Sequence, residues 1–416
     1  MGALYRVSVT RSHLSGRIDL VTTFTERAVR RGHIAAATFF FTNGAVFANL
    51  VPRYPELKEM LGLNATIYGV VLAMNPIGAI VAGIAAGALI RRFGSATVAV
   101  LGTLGVGIGV TAAAWSPNVW ILASAFFVAG SFDAITDVAQ NANALRVQAV
   151  RGRSIINSMH ALWSLGAVTG GGIAAAAIAL HIPVEWHIFG SSLVIVLVAF
   201  WARTQSLPGA EHESGEAPAH AAARRPANRA TITIVLMLAA LVLVSIGGGL
   251  TEEVAFSWAS LYLGDEVGAP ASLAAAGFIG LVGAQFIGRM VSDRLVGRFG
   301  ARAVVTFSGI LIAGGIGLAI SVPTVWGACL GFALAGFGCA PSIPLAMQQA
   351  DRVPGLRPGT GLTIVTWLMR LAFLIAPPLV GTIADATSIR VGLLVSLTGG
   401  VLVAVLSFVM PSKVKS

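Results

Sequence analysis

Two aspartates, Asp133 and Asp137, lie one helical turn apart inside the otherwise apolar stretch 119–145. Gln140 and Asn141 continue an i, i+4, i+7, i+8 spacing, so on a helix all four side chains share one face. Two ionised carboxylates at this spacing repel each other, which favours an exchangeable proton on one of them near neutral pH. Carboxylates in an apolar stretch are costly and typical of functional sites. The alternatives are that Asp133 faces a water-filled mouth or that an arginine neutralises one acid.

Two adjacent glutamates, Glu252 and Glu253, follow three consecutive glycines at 247–249 in a second apolar stretch. Adjacent helical residues point about 100° apart, so the two carboxylates cannot face a cavity in the same way. The glycines are expected to let this helix bend or unwind, as transporter helices do at their binding sites. We expect one glutamate to bind substrate or a proton, with Trp258 nearby. The alternative is that both acids lie at a water-filled mouth.

His160 shares a predicted helix face with Asn157 and Ser164. A histidine titrates near neutral pH and suits a pH-sensitive role, although a neutral histidine satisfied by one hydrogen bond is the alternative. Trp163 is expected either to stack on a ligand ring or to pack against neighbouring helices. Asn43, in the first apolar stretch, is a further candidate for a polar cavity.

Two arginines also lie within apolar stretches. Arg370 shares a face with Trp367, and a buried arginine requires a carboxylate partner or an anionic ligand. The alternative is that its side chain snorkels to lipid phosphates. Arg289 precedes Asp293 by one turn, and this spacing predicts an ion pair that locks a gate near the end of its helix.

The elements that must position these residues are membrane helices. The chain is 56% hydrophobic and only 11% charged, whereas soluble domains carry about 25% charged residues. Its mean hydropathy is +0.84. Apolar stretches of the length needed to cross a bilayer recur along the sequence. Twelve are predicted, at 33–52, 65–89, 96–115, 118–145, 154–180, 184–204, 231–263, 271–294, 302–321, 324–350, 358–383 and 389–410.

The basic residues set the predicted orientation of these helices. The formal net charge is +10, but the arginines and lysines lie between apolar stretches and form no continuous basic face, which argues against nucleic acid. Most of the 27 fall in alternate connections, and the other connections hold only Arg53, Lys58 and Arg390. The positive-inside rule then places both termini in the cytoplasm.

A short repeat divides the chain into two halves. Arg92-Phe93-Gly94 follows the second apolar stretch, and Arg298-Phe299-Gly300 follows the eighth. Internal repeats of this kind are typical of transporters built from duplicated halves. The predicted organisation is an N-terminal cytoplasmic tail, a six-helix half, a polar cytoplasmic linker, a second six-helix half and a short C-terminal tail, at 1–31, 32–204, 205–230, 231–410 and 411–416.

Motifs for other kinds of chemistry do not stand out. Cys329 and Cys339 lie about 15 Å apart on one predicted helix, too far for a disulfide, and no metal-ligand spacing surrounds them. The sequence has no phosphate loop and no clear nucleophile–base arrangement. We therefore expect neither an enzyme nor a bound cofactor or metal.

These features together resemble the major facilitator superfamily of secondary transporters. The family's loop motif is matched in part by Gly87-Ala-Leu-Ile-Arg91-Arg92-Phe-Gly94, with Arg91 where the family usually has aspartate. A second copy, beginning at Gly288, keeps its acid. The resemblance therefore implies a carboxylate-centred gating network in the second half only. Together with the spacing of Arg289 and Asp293, the two loops give the predicted gating residues, which are Arg92, Arg289, Asp293, Arg294 and Arg298.

Three stretches resemble a smaller branch of the superfamily. They begin at Asn43-Gly44, Asp137 and Ser158, and the first ends with Val51-Pro-Arg-Tyr-Pro-Glu-Leu57. That branch contains bacterial inner-membrane permeases similar to the rhizopine transport protein, with a more distant likeness to fucose permease. The resemblance implies a multi-pass protein of the bacterial inner membrane, usually monomeric, whose two halves rock around a central site.

The hypothesis favoured by these residues is proton-coupled transport of a small polar solute such as a polyol, a sugar or a rhizopine-like amino-inositol. The predicted proton-coupling residues are Asp133, Asp137, Glu252 and Glu253. The predicted substrate contacts are Asn43, Gln140, Asn141, His160, Trp163, Glu253, Trp258, Trp367 and Arg370. The alternative is a proton-driven exporter of drugs or lipophilic cations. A receptor or scaffold without transport is a third reading, but no sizeable soluble sensor domain accompanies the helices.

Overall fold

The structure is a computed structural model, and it describes residues 4–13, 16–208, 232–353, 356 and 359–410. From residue 24 onward it describes the side chains in these ranges, except that of Thr233. Most of the predicted linker 205–230 and the predicted tail 411–416 lie outside these ranges. Within the predicted N-terminal tail, β1 (Leu4–His13) and β2 (Gly16–Thr25) pair as an antiparallel hairpin. The first helix begins at Glu26, inside the segment predicted as tail.

Twelve spans long and apolar enough to cross a membrane occur among the described residues, which confirms the prediction of an all-α membrane protein. Three of these spans include a short extra α-helix, which is α2, α9 or α14 in the numbering that follows. The helices are α1 (Glu26–Ala48), α2 (Tyr54–Met60), α3 (Ala65–Phe93), α4 (Ser95–Ala114), α5 (Val119–Arg151), α6 (Ile156–Ala179), α7 (Val184–Gln205), α8 (Ile232–Leu261), α9 (Ala271–Ala274), α10 (Ala276–Phe299), α11 (Ala301–Ser321), α12 (Val325–Asp351), α13 (Thr360–Ala386), α14 (Ile389–Gly392) and α15 (Leu394–Leu406).

Side-chain caps fix where several of these helices begin. The Asn64 Oδ1 accepts a hydrogen bond from the Ile67 N–H at 2.8 Å at the start of α3. Asn118 caps α5 and Thr324 caps α12 in the same way. Capping oxygens satisfy the amide donors that the first helical turn leaves without partners. These polar loop residues therefore mark where α3, α5 and α12 begin.

Successive spans run in opposite directions, so α1 begins and α15 ends at the same face of the bundle, which we call the termini face. Within the first six spans, α5 packs against α3 and α4, and α1 packs against α6 and α7. The last six repeat this arrangement, with α12 against α10 and α11 and with α8 against α15 and α13. The two groups meet through α3 with α13 and through α6 with α10.

Several of the largest fully buried side chains belong to an apolar cluster that crosses the boundary between the two groups of spans. It contains Phe126 from the first group and Trp258, Tyr262 and Phe278 from the second. Trp258 lies near the end of α8 that faces away from the termini. This apolar contact therefore joins the two groups toward the face opposite the termini.

The repeated Arg-Phe-Gly tripeptides adopt the same local structure. Arg92 lies over the ring of Phe93 at 5.3 Å, and Arg298 lies over Phe299 at 5.3 Å. The glycine that follows has φ 81° at Gly94 and φ 83° at Gly300. These angles lie in a region open to glycine and strained for other residues. The glycine permits the sharp reversal from one span to the next in both halves of the chain.

The glycines of α8 do not interrupt it. The helix continues through 247–249, where bending or unwinding was expected, and changes only at its end into a π-helical turn, Tyr262–Glu266. Gly247 lies against Gly399 of α15, and Gly248 lies against Ser342 of α12. Their small size is used for close packing between helices, which explains why α8 remains regular there.

Candidate functional site

Asn43 of α1 is the centre of a buried hydrogen-bond network within the first six spans. Its Nδ2 donates to Oδ1 of Asp133 at 2.8 Å, and its Oδ1 accepts from Nε1 of Trp163 at 2.8 Å. Gln140 Nε2 lies 3.4 Å from the same Asn43 oxygen and 3.2 Å from Oδ1 of Asp137. The network therefore joins α1, α5 and α6. It brings together four predicted site residues from α1 and α5 and one from α6.

The close approach of α1 and α6 makes this network possible. Gly44 follows Asn43, and a Cβ atom at position 44 would overlap the carbonyl oxygen of Trp163. Only a residue without a side chain allows the two backbones to come this close. As a result, the Trp163 indole reaches Asn43 directly.

The two aspartates have different surroundings. Asp133 is partly buried and its carboxylate points to α1, where Asn43 binds it. Asp137 is exposed, and its Oδ1 accepts hydrogen bonds from Gln140 and from Asn141 Nδ2 at 3.1 Å. The structure thus distinguishes the two carboxylates of the predicted helix face: that of Asp133 is partly buried, and that of Asp137 is exposed.

Arg289 of α10 connects this cluster to the last six spans. Its Nη1 donates to Ser164 Oγ at 2.8 Å, and its guanidinium lies 5.9 Å from the centre of the Trp163 ring. Its Nη2 lies 3.9 Å from Oε1 of Glu252 on α8. A charged contact therefore runs from Glu252 through Arg289 to α6, across the boundary between the two groups of spans.

The predicted Arg289–Asp293 ion pair is wrong for this conformation. Arg289 points toward Glu252 and Ser164, and Asp293 instead accepts a hydrogen bond from Asn157 Nδ2 at 3.3 Å. The reason is that Arg289 finds a half-buried carboxylate on α8, whereas Asp293 is exposed near the termini face. Both residues nevertheless make contacts between the two groups of spans, through α6.

Glu252 and Glu253 point in different directions, as expected for adjacent helical residues. Glu253 Oε1 accepts a hydrogen bond from Ser257 Oγ at 2.9 Å. Its side chain lines a cavity of about 50 Å³, together with Tyr54, Asn75 and other residues of the first six spans. That volume holds a few water molecules at most. Glu253 is therefore enclosed, whereas Glu252 faces Arg289.

The predicted contacts His160 and Trp258 are placed mainly by packing. The His160 ring lies edge-on to Phe40 with the ring centres 5.2 Å apart. Trp258 has no exposed surface and packs edge-on against Tyr68 at 5.1 Å. In this conformation Tyr68 and the surrounding apolar cluster cover the whole side chain, so a substrate contact from Trp258 stays a prediction.

Arg370 and Trp367 lie together on α13, apart from the Asn43 network. The Arg370 guanidinium lies 5.9 Å from the centre of the Trp367 ring, and Trp367 is 48% exposed. Among the described residues, no carboxylate lies within ion-pair distance of Arg370, so the expected acidic partner is not present. Its side chain points toward Gly83 of α3 and is half-exposed.

The remaining predicted gating residues lie at the termini face. Arg92, Arg294 and Arg298 are all exposed. Within the described part of the chain, Arg92 and Arg298 contact the phenylalanine that follows each of them rather than an acid. The structure thus brings these residues to the ends of α3 and α10 without joining them to the buried network.

Sequence analysis missed the contacts that close the face opposite the termini. Asp385 at the end of α13 accepts hydrogen bonds from the Ala65 and Thr66 N–H groups at the start of α3, both at 2.8 Å. Tyr68 donates its O–H to the Ser257 carbonyl at 2.7 Å. All these bonds cross between the two groups of spans. The signal in the sequence was an acid, Asp385, near the end of a predicted span. Its partner Ala65 lies 320 residues away, so the sequence did not indicate the contact.

Arg53 is a second residue whose role the sequence did not show. It was counted only as a basic residue in a connection, yet its side chain is almost fully buried. It binds Glu56 at 2.7 Å and donates to the Ile182 carbonyl at 2.7 Å. Arg53 therefore ties the end of the first span to the connection between α6 and α7. The stretch 51–57, which resembles the smaller branch of the superfamily, therefore contains a residue that joins two connections of the fold.

These groups suit proton exchange and hydrogen bonding rather than covalent chemistry. Amides and carboxylates can bind hydroxyls, amines and protons, and Gln140 Oε1 is buried without a hydrogen-bond partner in the described structure. A buried acceptor of this kind is normally satisfied by water or a ligand. Over the residues that could be searched, no three histidine, cysteine or acidic side chains are placed to hold a metal ion.

Comparison with known proteins finds related membrane proteins. The sequence profile described as the Major Facilitator Superfamily matches residues 36–296. An uncharacterized transporter, y4wD, of Sinorhizobium fredii is 29% identical over 383 residues, covering 90% of this chain and 97% of the relative. Membrane protein MosC of Rhizobium meliloti is 26% identical and covers 89% of this chain and 88% of its own length.

Solved structures show the same fold at low sequence identity. A D-xylose–proton symporter is 15% identical with a TM-score of 0.74, and the match covers 92% of this chain and 98% of the symporter. FucP, a major facilitator transporter in the outward conformation, is 14% identical with a TM-score of 0.58, covering 92% of this chain and all of FucP. At these identities the likeness concerns the fold alone.

Proposed function

The chain belongs to the Major Facilitator Superfamily, and we propose that it is a proton-coupled transporter of a small polar solute that works by alternating access. Its family and its structural neighbours are transporters rather than enzymes. The proposed solutes are polyols, sugars and amino-polyols such as rhizopine-like inositols. We place the protein in a bacterial inner membrane, with both termini in the cytoplasm and one chain as the working unit.

The observation that carries this proposal is the amide-centred network around Asn43. Its donors and acceptors match hydroxyl groups, and the buried Gln140 Oε1 offers an acceptor to a substrate O–H or N–H. A carboxylate at Asp133 or Asp137 adds a site for an amine or a proton. Sites built from hydrogen-bonding groups discriminate strongly in favour of ligands that satisfy them. This chemistry supports a hydroxylated or aminated solute over an apolar one.

Alternating access uses the contacts between the two groups of spans. The bonds at the face opposite the termini hold the protein closed there, and Asp137 remains accessible. Substrate bound near Asn43 and Trp163 competes for the groups that Arg289 contacts, which couples site occupancy to the Glu252–Arg289 pair. A proton on Asp137 removes its charge, so the loaded site can pass through the closed intermediate at lower cost.

The test is a flux measurement on the purified protein in liposomes. We expect an inositol, an amino-inositol or a hexose to drive proton movement that a pH-sensitive dye reports. Asp137→Asn is expected to abolish proton movement while solute exchange between the two sides persists. Asp351→Asn, a matched change at the exposed end of α12, is expected to retain both. Loss of solute binding with unchanged pH dependence in Asp137→Asn would show that Asp137 is not the proton carrier.

Export of lipophilic cations is the second candidate, because accessible acids and half-exposed aromatic residues also suit such substrates. Trp367 is 48% exposed beside Arg370, and Asp137 lies open on α5. The same liposomes distinguish the two functions. Efflux of ethidium against its gradient, without any response to sugars or inositols, would replace the polar-solute proposal.

A further inference from the structure

A basic cavity of about 570 Å³ lies at the termini face, away from the Asn43 network. It is bounded by the end of α3, the start of α4, the last turns of α5, the end of α7 and the residues that follow α7. We propose that this cavity, which we call the arginine pocket, binds a phosphate-bearing anion. The pocket is a site separate from the transport pathway, and its occupancy does not depend on which solute the protein carries.

The charge of the pocket is one-sided. Four arginines, Arg91, Arg92, Arg146 and Arg203, are among the residues that line it, and no aspartate or glutamate is among its described lining residues. Guanidinium groups are planar donors that match phosphate oxygens in pairs. Arg91, Arg92 and Arg203 have no acidic partner among the described residues, and they repel one another across the cavity unless an anion lies between them. The composition therefore favours a ligand with two or more negative charges or several anionic oxygens.

Two of the arginines are held in position by neighbouring groups. Arg146 donates to the carbonyls of Leu207 and Pro208 at 3.0 and 2.7 Å. Arg203 donates through Nε to the Thr97 hydroxyl at 3.1 Å, which leaves its two terminal nitrogens for another acceptor. Because Thr97 accepts from Arg203, its own O–H can donate into the pocket. Fixed donors lose less conformational entropy when they bind an anion.

The start of α4 adds a second attraction for an anion. Gly94, Ala96 and Thr97 all line the pocket, so the first turn of this 20-residue helix borders it. No side chain caps the helix and no acid lies in its first turn. The amide N–H groups and the positive end of the helix dipole therefore favour negative charge at this point.

The position of the pocket favours a lipid phosphate as the source. It lies where α3, α4 and α7 reach the termini face, which is the depth of a bilayer headgroup. Phe93 and Trp201 near these helix ends are 48% and 51% exposed, as expected for aromatic side chains at a membrane interface. Basic pockets between membrane helices are suited to anionic headgroups. A soluble phosphate that reaches the same donors is the other source.

The equivalent loop of the other half has different chemistry. Arg298-Phe299-Gly300 repeats the geometry of Arg92-Phe93-Gly94, but Asp293 lies in the preceding turns of α10. Counted from the shared tripeptide, Gly87 of the first half corresponds to Asp293, and Arg91 corresponds to Gly297. The first loop therefore lacks the acid of the second and carries one more arginine beside the tripeptide. The second loop therefore provides an internal control for the first.

The experiment measures thermal unfolding of the full-length protein in detergent with added phosphatidylglycerol, phosphatidylcholine or inorganic phosphate. We expect phosphatidylglycerol to raise the unfolding temperature more than phosphatidylcholine does. Arg91→Gln combined with Arg203→Gln is expected to weaken phosphatidylglycerol binding roughly tenfold or more, because each guanidinium contributes charge-assisted hydrogen bonds. Arg298→Gln, which removes one arginine from the equivalent loop of the other half, is expected to leave that binding unchanged.

Stabilisation by phosphatidylglycerol alone supports a lipid phosphate in the pocket, and stabilisation by inorganic phosphate as well supports the same site with a soluble source. Equal responses to the two lipids, or equal losses in the Arg91/Arg203 and Arg298 variants, would overturn the proposal. The proposal would also be overturned if phosphate bound only to a variant in which Glu211, Glu213 and Glu216 are changed to glutamine. In that case the chain's own acids, which follow Pro208 in sequence, would be the anion.

Discussion

The properties of the polar site depend most on one amide, Asn43. An asparagine side chain donates through nitrogen and accepts through oxygen, so one residue can bind the Asp133 carboxylate and the Trp163 indole at once. An aspartate at position 43 would place two acids against each other, and an apolar residue would leave both partners unsatisfied. The acids drew attention in the sequence, but the amide holds them in place.

Replacing Asn43 tests this role. Asn43→Ala is expected to lower the free energy of unfolding, because Trp163 Nε1 and Asp133 lose buried partners and each unsatisfied group costs about 1–3 kcal/mol. The measurement is thermal or denaturant unfolding in detergent. Asn141→Ala is the matched control, because Asn141 bonds only to Asp137 within its own helix, and a cost under about 1 kcal/mol is expected. Similar losses in both variants would contradict a central role for Asn43.

The helices owe their positions to short features at their ends and at their closest contacts. Asn64 and Asn118 cap α3 and α5, and Gly94 reverses the chain between α3 and α4 in a conformation that side chains resist. The same reversal at Gly300 shows that the geometry belongs to the repeated unit. Hydropathy gives an element its length, whereas these single residues give it its ends.

Position 94 can be tested against a helical glycine of the same half. Gly94→Ala is expected to destabilise the protein by about 1–3 kcal/mol, because alanine is strained at φ 81°. Gly190→Ala, in the middle of α7, is expected to be neutral or stabilising by up to about 1 kcal/mol. Its added methyl group meets no atom within 4 Å, and alanine favours helix. The measurement compares the unfolding midpoints of the two variants with that of the unchanged protein in the same detergent. A lower midpoint is expected for Gly94→Ala and an equal or higher one for Gly190→Ala.

At the scale of the whole molecule, the sequence predicted what depends on local composition. The twelve spans and the all-α membrane fold follow from the apolar length that a bilayer requires, and both are confirmed. The N-terminal hairpin was missed, although the alternating β-branched residues of Leu4–His13 and Gly16–Thr25 favour strands. Those residues were assigned by charge to a tail.

Contacts between distant segments could not be predicted in the same way. Arg289 has carboxylates available within its own helix and on α8, and only the packing of α10 between α6 and α8 selects Glu252. The sequence favoured a ligand contact from Trp258, whereas in the structure the ring of Tyr68 packs against it. Spacing along one helix defines which residues share a face, but the neighbour opposite that face is a property of the assembled molecule.

The closed face opposite the termini gives a prediction about the conformational equilibrium. Asp385 holds the first turn of α3 through two backbone hydrogen bonds, and these bonds exist only while that face is closed. Asp385→Ala should therefore shift the population toward opening at that face. A shift of about fivefold corresponds to roughly 1 kcal/mol of lost interaction.

The readout is thiol labelling from the face opposite the termini. In protein carrying Cys329→Ser and Cys339→Ser, a cysteine introduced by Asn75→Cys reports on the small cavity beside Glu253. A membrane-impermeant maleimide should label it about fivefold faster when Asp385→Ala is added. Glu185→Ala removes an acid from the start of α7 at the same face, with no bond across the two groups of spans in the described structure, and should leave the rate unchanged. Equal labelling rates in the parent, the Asp385→Ala variant and the Glu185→Ala variant would mean that Asp385 does not hold this face closed. The Tyr68–Ser257 contact would then have to hold it instead.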